Sequence, residues 1–248
     1  MRRYGIPAVL AATLISAGCI QQLSTVRGSG SLVTETRDVS GFNAVSLGGQ
    51  GVLTITVGEK ESLTITADDN LLPYIETKVE HRGLSIGPAR EARRTEFRPS
   101  APIRYDLTVV DLTAVAVSGA ASVRAEALTA EDFNIAVNGA ADVEIGRLEA
   151  GTFSVAISGC GDVTVAGEAD ALAIAISGSG VYRGGDLMSR SATCAISGSG
   201  DVTVWAEDEL DIGVSGSGAV AYYGEPSVRQ DVSGSGSVRA LGPRKLTL

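Results

Sequence analysis

Seven copies of a short glycine-containing motif recur in the C-terminal half of the chain, at steps of 20, 20, 19, 20, 18 and 18 residues. The first three read Ser118-Gly119-Ala120-Ala121-Ser122-Val123, Asn138-Gly139-Ala140-Ala141-Asp142-Val143 and Ser158-Gly159-Cys160-Gly161-Asp162-Val163. The other four read Ser-Gly-Ser-Gly and start at Ser177, Ser197, Ser215 and Ser233. A near-constant period of this length is the mark of a solenoid, in which each copy is one unit stacked on the last.

Parity within a copy sets the faces. Ile135, Val137, Gly139, Ala141, Val143 and Ile145 occupy alternate positions, so a strand turns all six to one side. The same parity holds for Val155, Ile157, Gly159, Gly161, Val163 and Val165. The inward row is therefore large, large, tiny, tiny, large, large, and the tiny pair marks a sharp bend with no room inside. The expected bend residues are Gly119, Gly139, Gly159, Gly178, Gly198, Gly216 and Gly234. Outward Ser or Asn residues would form a ladder with the strand spacing of about 4.8 Å.

Antiparallel strands reverse direction and would not stack equivalent motifs. The fold class expected is all-β: a parallel β-helix, or β-solenoid, with about seven regular rungs of 18–20 residues. Leu128, Leu148, Leu172, Leu187 and Leu210 are expected to plug the opposite wall, with Glu126, Glu131 and Asp132 outside. Aromatics make up only 4% of the chain, so this core must consist of Val, Ile, Leu and Ala. The register also separates two cysteines. Cys160 takes an outward bend position and Cys194 an inward strand position two rungs away, about 9–10 Å along the axis. A disulfide needs Cα atoms within about 7 Å, so two free thiols are expected.

The first residues read as an address. Arg2 and Arg3 precede an uncharged, mostly apolar run over residues 5–17, too short for a comfortable membrane span. It ends in Ser16-Ala17-Gly18-Cys19, which resembles a bacterial lipobox. Residues 1–18 are expected to be a signal peptide. Cys19 would be the lipidated (palmitoylated) N-terminus, and 19–40 a flexible tether through Gly28-Ser29-Gly30-Ser31. An ordinary secretory signal with Cys19 incidental is the alternative. Ile20 is not the Asp that resembles an inner-membrane retention signal, so the expected location is the cell envelope, and the outer membrane in a Gram-negative cell.

Residues 41–242 are expected to form a single domain, with 115–242 regular and 41–114 either less regular first rungs or a cap. Gly51-Val52-Leu53-Thr54-Ile55-Thr56-Val57 and Ser62-Leu63-Thr64-Ile65-Thr66 alternate as strands around a Gly58-Glu59-Lys60-Glu61 turn. Gly41-Phe42-Asn43-Ala44-Val45, then Gly51-Val52, then the run from Ala67-Asp68-Asp69-Asn70 through Pro73-Tyr74 to Thr77 precede the repeats. In that order, over about residues 41–241, the chain resembles the head-GIN domain family of auto-transporter adhesin heads. The resemblance implies a β-solenoid and an extracytoplasmic location. It carries no catalytic residues to this sequence.

Composition narrows function further. The formal net charge of −9 argues against nucleic acid, which needs a basic field. No Ser-Gly-Ser-Gly copy opens a helix with a Lys-Ser/Thr pair, so these are bends rather than phosphate cradles. Asp142 and Asp162 are weak metal candidates, because Val181 interrupts the acidic row before Asp201. His81, the only histidine, lies in a Glu80-His81-Arg82-Gly83 turn without a nucleophile-elbow motif. Arg90, Arg93, Arg94 and Arg98, with Arg104 beyond them, are either a solvated loop or a patch for an anionic envelope partner. Trp205, Tyr222 and Tyr223 could form a small aromatic platform.

The reading is an envelope-anchored binding, adhesion or structural module with no cofactor and no catalytic constellation. Its partners would be the membrane, through the lipid, and an envelope glycan or protein. The alternative is a polysaccharide-active β-helix enzyme using outward carboxylates.

Overall fold

A computed structural model describes residues 24–244. Its sixteen strands begin with β1 (Ser24–Arg27), β2 (Leu32–Arg37), β3 (Ala44–Val57), β4 (Ser62–Asp68), β5 (Ile75–Glu80) and β6 (Gly83–Pro88). Next come β7 (Thr95–Arg98), β8 (Arg104–Val109), β9 (Ala114–Gly139), β10 (Asp142–Gly159) and β11 (Asp162–Gly178). The last are β12 (Val181–Gly198), β13 (Asp201–Gly216), β14 (Ala219–Tyr223), β15 (Ser227–Gly234) and β16 (Ser237–Gly242). Two short 3₁₀ turns, Leu72–Tyr74 and Arg90–Ala92, interrupt the strands.

The described residues wind as a β-solenoid of about six turns, and strand makes up 75% of them. Strands β9 to β13 pair in parallel, motif on motif: Asn138 beside Ser158, Ser158 beside Ser177, then Ser197 and Ser215. All seven expected bends stack. The turn count falls just short of seven because, among the described residues, only β16 follows the bend at Gly234. Ile135, Val137, Ala141, Val143 and Ile145 are buried as the parity required, while Asn134, Asn138 and Asp142 on the opposite parity are exposed.

The two small residues at each bend have different causes. The first glycine holds a φ of 116–136° at all seven positions, where an L side chain is strained. A Cβ there would sit 2.3–2.5 Å from the carbonyl oxygen of the glycine one turn before it. That oxygen accepts the next amide along, as in Cys160 N–H to Gly139 O at 2.9 Å. The expectation of a crowded interior at this first position is therefore corrected: the backbone itself approaches too closely. Only the second position faces inward, where Ala121, Ala141 and Gly161 are buried. A Cβ on Gly161 would lie 2.5 Å from Val137 Cγ1.

The five leucines expected to plug the opposite wall are all buried, and they stand in two columns. Leu128 and Leu148 share a column that passes through Gly167 to Leu187. Leu172 and Leu210 stand instead in the column of Phe133, Phe153 and Ala192. The Phe133 and Phe153 rings stack with centroids 5.9 Å apart.

The N-terminal region is first rungs and cap together. Strand β3 lies parallel to β9 from Ala44 beside Ala114 to Ile55 beside Ala125. Gly49, with φ 109°, extends the bend ladder to an eighth position. Strands β6 and β8 pair in parallel with the two halves of β3. Antiparallel β5, β4 and β2 then close that end of the sheet, covering what would otherwise be an open parallel edge.

The expected flexible tether is contradicted from Ser24 onward. Strand β2 pairs with β4 and β1 with β7. The Gly28–Ser31 stretch is pinned: the Gly30 amide donates to Asp68 at 2.8 Å, the Ser29 amide to Asn70 at 2.9 Å, and Asn70 to the Arg27 carbonyl at 2.8 Å. Side-chain acceptors on a distant turn override the local flexibility of Gly and Ser. The signal peptide and Cys19 lie outside the described residues.

Candidate functional site

Where the bend at Gly48, Gly49 and Gln50 meets the cap, a cleft of about 290 Å³ opens. Its floor is aromatic. Tyr74, at the end of the first 3₁₀ turn, and Phe97 on β7 have ring centroids 5.5 Å apart, tilted by 40°. Tyr105 from β8 lies beneath, with burial pushing its phenol above the ordinary range. Gln50 Nε2 donates to the Phe97 carbonyl at 2.9 Å and ties the bend to β7. Arg93, exposed just after the second 3₁₀ turn, stands at the mouth. An apolar floor with a few polar groups at the rim is the usual make-up of a ligand site, here at the small end of the size range.

A second, more polar groove adjoins it, lined by Arg93, Arg90, Lys78, Glu76 and Glu80. Lys78 and Glu80 pair at 2.6 Å. The hydrogen bond between them lowers the carboxyl and raises the ammonium from their ordinary values; at this exposure the pair adds little stability.

The structure divides the basic run. Arg90 and Arg93 share the groove. Arg98 turns to Glu96, with Nε at 2.9 Å from Oε1, and this hydrogen bond holds the Glu96 carboxyl below its ordinary value. Arg94 is exposed after the 3₁₀ turn and Arg104 is exposed on β8.

Other candidates are weaker. Asp142 and Asp162 are in-register neighbours, but Arg183 Nη1 donates to Asp162 Oδ2 at 2.8 Å and Val181 follows. Among the described residues no group of three or more His, Cys, Asp or Glu side chains is placed to hold a metal. His81 is exposed in the β5–β6 hairpin, where it and Arg82 take φ of 49° and 63°. The aromatic platform does not form. Trp205 is buried and its indole N–H donates to Glu207, while the Arg244 guanidinium covers the Tyr223 ring at 4.7 Å. Cys160 is exposed, Cys194 is buried, and both thiols are free.

The bend-side wall presents a second surface. Its outward middle row begins at Lys78 on β5 and ends at Asp231 on β15; between them stand Ala136, Ala156, Ala175 and Ala195. The Ser and Asn ladder flanks it on one side. A row from Glu80 to Arg229 flanks it on the other.

Two of these features were missed by sequence reasoning. The bend at Gly49 had a signal in Gly49-Gln50-Gly51-Val52-Leu53, which has the spacing of Gly159-Cys160-Gly161-Asp162-Val163 with Val52 at the Asp position, but lies far outside the period. The cleft had none, because its walls come from β3, β7, β8 and both 3₁₀ turns.

The family described as "Putative auto-transporter adhesin, head GIN domain" matches residues 41–226. Among solved structures, a putative adhesin from Bacteroides fragilis is 25% identical, with a TM-score of 0.82 over 87% of this chain and 100% of that one. A putative lipid binding protein from Parabacteroides distasonis is 23% identical, with a TM-score of 0.73 over 88% and 100%. A putative adhesin from Parabacteroides merdae is 21% identical, with a TM-score of 0.70 over 88% and 99%. No curated protein matches the chain. Among the described residues no helix is long and apolar enough to cross a membrane.

Proposed function

We propose, on the premise that this chain belongs to the head GIN domain family, that it is a non-catalytic binding or adhesion module of the cell envelope that grips an anionic partner at its cap cleft. The observation that carries the reading is the Tyr74–Phe97 floor beside Arg93 and Arg90, neither of which has an ion-pair partner among the described residues. In a chain of net charge −9, Arg93 at the cleft and Arg90 in the adjoining groove supply local positive charge for an anionic group. They suit a ligand with an apolar body for the rings and a phosphate or carboxylate for the arginines. Delivery would be through the lipidated Cys19, with the outer membrane as destination in a Gram-negative cell.

The test uses the chain carrying Cys19→Ala, so that no lipid tethers it, against neutral vesicles and vesicles with a phosphate-bearing glycolipid. Binding is expected only to the anionic vesicles, with Arg93→Glu and added salt each weakening it about tenfold or more. Salt-insensitive binding, or none, would return the arginines to a solvated loop. For the anchor, globomycin should block lipid attachment to the native chain; unchanged partitioning into a detergent phase would count against it.

A further inference from the structure

The bend-side wall is ten strands wide: β5, β6, β3, the two halves of β9, then β10, β11, β12, β13 and β15. Three rows of side chains point outward from it. From β6 to β12 every residue in these rows is Gly, Ala, Ser, Thr or Asn, in a protein with 20% charged residues. Shallow depressions run along it, lined in part by Ala116, Ala156, Ala195 and Ser197. Charge appears only at the ends. On β5 stand Glu80, Lys78 and Glu76; at the other end stand Asp211 on β13 and Arg229 and Asp231 on β15.

We infer that this wall is the interface of a face-to-face dimer of two copies of the chain, related by a twofold axis parallel to the strands. Such an axis inverts the solenoid direction and keeps each row facing itself. Lys78 then meets the partner's Asp231, and Glu80 meets the partner's Arg229. Ala136 faces the partner's Ala156 at the centre. A twofold axis along the solenoid would instead set Lys78 against Lys78 and Asp231 against Asp231, and like charges across an interface cost several kcal/mol. The end charges therefore select one pairing.

Size supports the same occupant. Ten strands at about 4.8 Å and three outward positions at about 6.7 Å give roughly 900 Å² per copy. Two copies bury roughly 1,800 Å², within the range of stable specific interfaces. The centre of the wall is free of charge, as the centre of such surfaces tends to be, and its charges lie at the two ends. Small side chains also let two sheets approach without interdigitating bulk, so the face needs no large hydrophobic residues to pack.

Sedimentation equilibrium of the full chain carrying Cys19→Ala tests the inference. A dimer is expected at micromolar concentration. Ala156→Arg, at the centre, should make it monomeric. Lys78→Asp and Asp231→Lys should each weaken association at least about tenfold, and the double swap should restore it, since Asp at 78 then faces Lys at 231. Melting curves close to that of the unsubstituted chain keep misfolding out of the comparison. A monomeric unsubstituted chain overturns the inference, including one that uses this face for a glycan. So does a dimer indifferent to Ala156→Arg, or one that both single charge changes weaken and the double swap leaves weak.

Discussion

The Ser100 hydroxyl and the Ser100 amide both donate to the Asp68 carboxylate, at 2.6 and 2.9 Å. The Gly30 amide adds a third donor at 2.8 Å. Asp68 is fully buried, and it joins the entry turn between β1 and β2 to the loop before β8. The Ser100 hydroxyl is the main cause that holds this carboxyl below its ordinary value of 3.8.

A depressed carboxyl stabilises the fold above its unfolded value and loses that contribution as pH falls through the folded one. Asp68→Asn should therefore lower the melting temperature at neutral pH and speed amide exchange over residues 24–37. The gap between variant and native chain should close below about pH 3.8. Denaturant titrations from pH 7 to pH 2 check this; a gap that stays constant across the range would remove the carboxylate from the account.

At the bend, Gly159→Val should cost about 3 kcal/mol or more, since it combines backbone strain with overpacking. A Cβ there lies 2.4 Å from Gly139 O at a φ of 132°. Ser179→Ala, at an exposed neighbour in the next bend, should stay within about 0.5 kcal/mol. Equal melting temperatures for the two would sink the stacked-glycine ladder.

Tyr182 is fully buried, and its hydroxyl has no hydrogen-bond partner among the described residues. It stands in register with Val163 and Val202, and Gly184 two residues on stands beside Val204. A Cβ on Gly184 would fall 2.4 Å from the Tyr182 ring, so the ring occupies space that valines fill in neighbouring turns. Tyr182→Phe should stabilise by about 1 kcal/mol by removing an unpaired buried hydroxyl, raising the melting point by about 2–4 °C. Gly184→Val alone should destabilise, and Tyr182→Val with Gly184→Val should recover much of the loss. Additive effects in calorimetry would contradict the shared space.

Burial pushes the Cys194 thiol up to about 12, so it stays protonated and inert. Iodoacetamide without reductant should modify exposed Cys160 quickly and Cys194 only after unfolding. Mass spectrometry that recovers a linked Cys160–Cys194 peptide would break the register on which the fold rests.

That register was legible before any coordinates. Side-chain alternation and the 18–20-residue period are both carried by near neighbours in sequence, and each turn of a solenoid pairs with the turn before it. Hence the inward places of Ile135, Val155 and Cys194, the outward place of Cys160 and the seven stacked glycines could all be read directly. The Leu columns carried a signal as well: Leu172 lies 24 residues after Leu148 but 19 after Phe153, and only the second step is one period, so it stacks on Phe153.

What lies outside the period was decided by tertiary structure alone. The Gly28–Ser31 stretch has the composition of a linker, and only its meeting with Asp68 and Asn70 on a distant turn makes it a fixed turn. Gly49 joins the bend ladder although residues 58–113 separate β3 from β9. Arg98 turns to Glu96, whereas Arg93 remains at the cleft. A repeat specifies its own stacking because every turn meets the same neighbour. A cap, a cleft and an ion pair join residues far apart in sequence, and their pairing is set by which surfaces the closed solenoid brings together.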